Sequence, residues 1–312
     1  MDCFKLHSKW AEFSRAGAYI RACLDKSAPL PLDITLSASF EDPCGTHCGS
    51  VLDELLNSGE PRHIQRCRSL SWHMGYTYNG GVPVVASLLP PSFERLEYLF
   101  LKDFTFEPVS LISFPECPRL KEVHLVNHFN GISPDYFLKR DHTHVERLTY
   151  SCSKVWIDYD IPYIQYFRAV RILVLEDANC HSSYTYLALK EVENTSIAHL
   201  HFLETLKLIG SIPLAIMRRL RAPSLRRVEI AAGNSAPQPH ALATVPLVLL
   251  QPVTEMGISI CLSDSETPDP QQLQRVICGA PSLTSIFGSF RIGELLAGQG
   301  WFRDLRVVYH CV

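Results

Sequence analysis

The feature that most constrains the fold is a short apolar pattern that returns along the chain at a nearly constant spacing. Its clearest copies are Leu203/Leu206/Leu208 and Leu225/Val228/Ile230, which begin 22 residues apart. Residues 211–220 between them are predicted to be helical, and Ala222-Pro223-Ser224 is predicted to turn the chain. Because side chains alternate along a strand, the second and third apolar residues of each copy should be buried on one side.

The same pattern recurs over most of the chain, with copies that begin at residues 67, 96, 120, 145, 170, 203, 225, 253, 283 and 305. A strand, a turn and a helix in each period of roughly 20–29 residues are the signature of leucine-rich repeats. One such unit cannot bury its apolar side alone, so neighbouring units must stack. The sequence therefore predicts an α/β leucine-rich-repeat solenoid with a parallel concave sheet and helices on the convex side.

The repeats divide the chain into a short N-terminal part and one long domain. Apolar residues recur at helical spacing near the N-terminus, at Trp10, Phe13, Gly17, Ile20 and Leu24. This helix would cover the open end of the repeat stack. We therefore predict an N-terminal helical cap segment over residues 1–28 and a leucine-rich-repeat-like domain over residues 29–312.

Composition excludes several classes of function and location. The net charge of −3 gives no reason to expect a nucleic-acid or membrane-surface binder. The longest apolar run, residues 241–253, is too short to span a bilayer. Eleven cysteines without a disulfide framework, and an N-terminus without a signal peptide, favour a reducing compartment. We therefore expect a cytoplasmic or nuclear protein.

Two adjacent segments resemble the F-box proteins of mushroom-forming fungi. Residues 19–27, ending in Leu-Asp-Lys-Ser, are followed by Pro-Leu-Asp-Ile-Thr-Leu at residues 31–36. In that family a helix that ends in L-x-R-S leads into a P-L-D-I/L-x-L strand, and further matches lie at residues 63–70, 93–99 and 220–225. The resemblance implies the substrate-recognition region of a receptor for a cullin-based ubiquitin ligase.

The F-box module of that family, which starts with L-P-x-E-[IL], is not found in this sequence. The chain begins just after the point where the module should end, and it stops at Val312, within or just after a predicted strand. Both ends indicate a truncated gene model or a degenerate copy. Binding of the ligase adaptor is therefore expected only if an F-box lies upstream. A free-standing leucine-rich-repeat scaffold without a ligase role is the alternative.

No catalytic motif supports an enzyme or a bound cofactor. The sequence contains no G-x-S-x-G, no P-loop and no H-E-x-x-H. Cys44, His47 and Cys48 have C-x-x-H-C spacing and, with His63 and Cys67 downstream, could supply four zinc ligands. The spacing matches no zinc module, so reduced thiols in a turn are the favoured interpretation. A metal-binding enzyme around Cys44–Cys67 is a third, weaker alternative.

The best candidate for a binding surface is the side of the sheet opposite the buried leucines. Strand alternation places ten charged or aromatic residues there, which we predict to contact a protein partner: Tyr98, Phe100, Lys102, Glu122, His124, Arg147, Glu176, Lys207, Arg227 and Glu229. Adjacent aromatic residues are typical interface anchors, and mixed charges would set specificity. If the chain's own loops cover part of this face, Ile172 and Val174 would be plain packing residues.

Overall fold

Every copy of the repeated pattern coincides with a strand in the computed structural model of the chain. The last copy is shifted by one residue, because the register aligns Val307, and not the expected Val308, with Ile286. The structure describes residues 19, 21–28, 30–38, 63–74, 92–102, 116–127, 142–152, 164–177, 197–210, 217, 219–231, 245–259, 270–288 and 306–309. The chain divides into two compact units, unit 1 at residues 1–140 and unit 2 at residues 141–312. Each unit is an α/β structure built on parallel strands.

Unit 1 contains a sheet of parallel strands in chain order. Its described strands are β1 (Leu32–Ala38), β2 (Cys67–Met74), β3 (Tyr98–Lys102) and β4 (Glu122–Asn127). The register of β2, β3 and β4 aligns Leu70 with Leu99 and Val123. Apolar side chains of adjacent strands therefore form continuous rows on one side of the sheet.

Unit 2 repeats this arrangement with more strands. The order of its main sheet is β5 (Arg147–Cys152), β6 (Ile172–Asp177), β8 (Thr205–Ile209), β10 (Arg227–Ala231), β11 (Glu255–Ser259), β12 (Ser285–Gly288) and β13 (Arg306–Tyr309). The strand pairings described within it are all parallel. Two short strands, β7 (Ala198–His199) and β9 (Leu220–Arg221), form a separate parallel pair.

The burial pattern confirms the predicted alternation. In β3, Leu99 and Leu101 are buried while their strand neighbours are half-buried, and β8 and β10 show the same five-residue pattern. The first apolar residue of most copies is also buried, as at Leu96, Leu120, Val145, Val170, Leu203, Leu225 and Val253. The leucine side of each sheet therefore forms the core, and the opposite side remains partly open to solvent.

A recurring turn sets the start of each strand. The N–H of Leu120 donates to Cys117 O at 3.1 Å, and the N–H of Leu225 donates to Ala222 O at 3.2 Å. The intervening Pro118 and Pro223 occupy the second position of these four-residue turns, where the fixed φ of proline is favoured. These two prolines therefore shape the turn that leads into each strand.

A second set of backbone bonds fixes the register. The N–H groups of Arg226 and Arg227 both donate to Glu204 O, and those of Thr254 and Glu255 both donate to Arg226 O. The pattern repeats at residue 284, whose N–H donates to Thr254 O at 2.9 Å. Each copy therefore takes its register from the copy before it.

Helices are described at residues 21–26, Leu247–Leu250 and Pro270–Cys278, with a 3-10 turn at His63–Arg66. The helix Pro270–Cys278 buries Leu273, Val276 and Ile277, as its sequence predicts. The predicted helix 211–220 extends too far, because Leu220 already belongs to β9. The N–H of Ala198 donates to Arg219 O and that of Leu200 to Arg221 O, which holds Leu220 and Arg221 in the short strand.

Candidate functional site

The candidate interaction surface consists of the strand side chains opposite the core, and it divides into one face in each unit. Face 1 comprises the outward residues of β2, β3 and β4: Ser69, Ser71, Tyr98, Phe100, Lys102, Glu122, His124 and Val126. Face 2 comprises the corresponding residues of β5 to β12, including Arg147, Glu176, Lys207, Arg227 and Glu229. The two faces are described separately.

Face 1 brings all five of its predicted partner-binding residues together on two adjacent strands. The register pairs Tyr98 with Glu122, Phe100 with His124, and Lys102 with Val126. The Phe100 and His124 rings meet edge to face, with centroids 4.7 Å apart and planes at 86°. Each of these side chains is half-buried, so it presents part of its surface while its neighbour fixes its orientation.

The part of face 2 on β5 and β6 is largely closed. Thr149, Ser151 and Val174 are 8%, 2% and 5% exposed, although strand alternation predicts them on the open face. Ser151 Oγ donates to Glu176 Oε2 at 2.6 Å, which draws that carboxylate inward. Val174 is therefore a packing residue, as expected if the chain covers part of this face. Ile172, for which the same was expected, is only half-buried. Of the two predicted site residues here, Arg147 is exposed and Glu176 is half-buried.

Face 2 carries a network of charges on β8, β10 and β11. Arg227 Nη2 lies 2.8 Å from Glu229 Oε1, and Lys207 Nζ lies 3.5 Å from Glu229 Oε2. On the other side of Arg227, its Nη1 is 3.6 Å from Glu255 Oε2. The side chains are 27–43% exposed, so water competes with each pair and every pair contributes little to stability.

A glycine makes room at the centre of this network. Gly257 in β11 lies in register with Glu229 in β10 and with Phe287 in β12. A Cβ at residue 257 would lie 3.2 Å from Glu229 Cγ. Since this position has no side chain, Arg227 can reach across β11, and its Cζ lies 5.3 Å from the centroid of the Phe287 ring.

Sequence reasoning missed Glu255, Gly257 and Phe287 as members of the surface. The copies that begin at residues 253 and 283 match the pattern only weakly, so their outward positions were not included among the candidates. The signal was nevertheless present, because Glu255 occupies the same place in its copy as Arg227, and Phe287 the same place as Glu229. Strand position therefore identifies these residues once the weak copies are accepted.

The proposed zinc ligands divide between described and undescribed residues. Cys44, His47 and Cys48 lie outside the described residues, and within the described ranges no three His, Cys, Asp or Glu side chains cluster to hold a metal. Burial raises the pKa of the Cys67 thiol to about 12, and its Sγ donates to Ser69 O at 3.2 Å. His63 Nδ1 lies 3.1 Å from Arg66 Nη1. Both side chains are buried and already hydrogen-bonded within unit 1, so the structure does not present either of them to a metal.

Comparisons with protein-family models, with curated proteins and with solved structures found no match. None of the helices in the described part of the chain has the length and apolar character needed to cross a membrane. What the arrangement offers chemically is a set of half-buried and exposed aromatic and charged side chains on face 1 and face 2.

Proposed function

We propose that this protein is an interaction module in which leucine-rich repeats stack as a solenoid and the outward strand faces bind a protein partner. Parallel strands at the period of the pattern, joined in register by the same turn, support the repeat architecture. The aromatic and charged side chains on the described faces are of the kinds that take part in protein recognition.

The observation that carries this proposal is the arrangement of face 1. Tyr98 and Phe100 are aromatic side chains on a strand whose neighbours at Leu99 and Leu101 are buried, so they are held rigidly and cannot withdraw into the core. Tyrosine and other aromatic residues supply much of the energy of protein interfaces. Glu122 and His124 beside them add polar groups that can select a partner.

We further propose that the partner is a substrate for ubiquitin transfer, and that the protein works in the cytoplasm or nucleus. This step depends on the F-box resemblance. Two of its matched segments, residues 19–27 and 63–70, are joined in unit 1 by contacts between Arg66 and Ser27, which supports their reading as one structural element. Adaptor binding would come from an F-box that this sequence does not contain. A scaffold without a ligase role would use the same faces.

Site-specific photo-crosslinking tests the binding face. A photoreactive amino acid at position 100 should capture a protein from an extract of the producing cells, and Tyr98→Ala should reduce that capture. Position 121, which is exposed directly before β4, is the matched control and should capture much less of the same protein. Equal capture from positions 100 and 121, or capture unaffected by Tyr98→Ala, would refute face 1 as the binding surface.

A reconstituted ligase distinguishes the receptor from the scaffold. The protein is joined to an upstream F-box and combined with the adaptor, the cullin and the partner protein that crosslinking identified. A receptor should add ubiquitin to the partner, and Phe100→Ala should slow this transfer without weakening adaptor binding. Partner binding without any transfer of ubiquitin would favour the scaffold.

A further inference from the structure

A buried polar cluster outside both faces joins the N-terminal helix of unit 1 to the turn before β2. Its centre is Arg66, which is 1% exposed, with His63 beside it at 2%. Both residues lie in the 3-10 turn His63–Arg66, and their partners lie at residues 24–30. A buried charged group needs hydrogen-bond partners, and Arg66 finds them within unit 1.

Arg66 caps the end of the helix at residues 21–26. Its Nη1 donates to Leu24 O at 3.1 Å, its Nε to Leu30 O at 3.1 Å, and its Nη2 to Ser27 Oγ at 2.8 Å. Ser27 Oγ in turn donates to Leu24 O at 2.8 Å. The last carbonyls of a helix lack partners within the helix, and a cation there also interacts favourably with the helix dipole. The guanidinium therefore ties the helix end to the turn.

The contact between Arg66 and His63 defines the state of the imidazole. A guanidinium can only donate, so His63 Nδ1, at 3.1 Å from Arg66 Nη1, must accept. Neutral His63 then carries its proton on Nε2, which lies 3.3 Å from Asp25 Oδ1 but makes no hydrogen bond to it. The hydrogen bond that holds the neutral ring in place is therefore the one from Arg66 to Nδ1.

We propose that His63 is an acid-sensitive latch that holds residues 21–28 against the turn His63–Arg66 of the same unit. A proton on Nδ1 would turn the acceptor that faces Arg66 into a donor, so that two donors and two positive charges would oppose each other. The contact would break, and Arg66 would lose one of the neighbours that hold it beneath the helix end. The device is independent of the binding role proposed for the strand faces.

Burial and the surrounding charges determine the pH at which the latch would open. Burial, and then the charge of Arg66, lower the pKa of His63 below 6.5, while Asp25 opposes them. The Asp25 side chain is 60% exposed, so water weakens its attraction, and Arg95 adds positive charge near Arg66. The pKa of His63 is lower in the folded than in the unfolded chain, so neutral His63 contributes its full stability above the unfolded value of 6.5. This contribution declines as the pH falls below 6.5 and through the folded pKa.

Hydrogen exchange at two pH values tests the latch. After correction for intrinsic rates, amide protection of residues 21–28 in the full chain should fall between about pH 7.5 and about pH 5.5, relative to protection of β3. His63→Gln should remove this fall, because the amide oxygen can still accept from Arg66 but cannot take up a proton. His144→Gln, at an exposed histidine of unit 2, should behave like the wild type. An equal fall in wild type and His63→Gln, or no fall in the wild type, would overturn the proposal.

A second measurement does not depend on the folding of a variant. Nitrogen chemical shifts of the wild-type imidazole report its tautomer directly. At about pH 7.5 the His63 ring should be neutral with its proton on Nε2. A charged His63 ring at that pH, or a neutral ring with its proton on Nδ1, would contradict the latch whatever the exchange experiment shows.

Discussion

Arg66 in unit 1 and Arg227 in unit 2 use the same chemical group in opposite ways. Arg66 is 1% exposed and bonds to neutral oxygens of the helix end, whereas the Arg227 side chain is 40% exposed and faces two carboxylates. Removal of Arg66 would empty a buried space at the helix end, whereas removal of Arg227 would only clear part of a surface that water already reaches. The comparison shows that burial, rather than the number of charged partners, decides which arginine stabilises the fold and which remains available to a partner.

Arg66→Ala should give the largest effect. It leaves Leu24 O and Leu30 O without their buried donor and opens a void beneath the helix end. Hydrogen bonds from a charged group contribute about 1.5–3 kcal/mol each, so the loss of two should decrease the free energy of unfolding by about 3–5 kcal/mol. Urea denaturation followed by circular dichroism measures it.

Arg68→Ala is the matched control, two residues further along the chain. Arg68 is exposed, and its Nη2 lies 2.7 Å from Asp33 Oδ2. Water can replace this partner, so the variant should unfold at nearly the wild-type urea concentration. If the two variants lost equal stability, burial of Arg66 would not be what distinguishes the two arginines.

Leu99→Ala and Phe100→Ala compare the two sides of one strand in unit 1. Leu99 is fully buried, so truncation should leave a cavity and cost about 2–5 kcal/mol. Phe100 is half-buried against His124, and its truncation should cost about 1 kcal/mol while reducing partner capture. Thermal melts of the two purified variants decide the matter. Equal losses would mean that face 1 is covered, and its residues would no longer be candidates for binding.

The strands and their burial could be predicted from the sequence because both follow from local periodicity. A pattern that repeats every 22 to 33 residues, with alternation inside each copy, identifies β3, β8 and β10 and the side on which Leu99 lies. The face residues Tyr98 and Phe100 follow from the same alternation. Local pattern is enough here since each strand repeats its neighbour.

The Arg66 cluster could not be predicted in this way. Its partners Leu24 and Leu30 lie 42 and 36 residues earlier in the chain, and no repeated spacing connects them. The burial of Thr149 and Ser151 was also missed, because alternation tells which side a residue faces but not whether that side is covered. Both failures concern tertiary contacts that a periodic pattern does not encode.

Arg227→Ala should have the smallest effect on stability. The variant removes the ion pairs to Glu229 and Glu255 and the contact with Phe287, but all three side chains retain access to water. We expect the free energy of unfolding to change by about 1 kcal/mol or less at low salt. The change should become smaller as the salt concentration rises, because screening weakens pairs that are open to solvent.

Gly257→Ala sharpens the same comparison without altering a charge. The added Cβ would lie 3.2 Å from Glu229 Cγ, the flexible part of a half-exposed side chain, so Glu229 can shift at small cost. Stability should therefore change little, while the distance between Arg227 and Phe287 increases and any binding through face 2 weakens. Crystal structures of the variant and salt-dependent melts would show both effects. If Arg227→Ala or Gly257→Ala unfolded as readily as Arg66→Ala, the charges of face 2 would belong to the core of unit 2 and not to a surface for recognition.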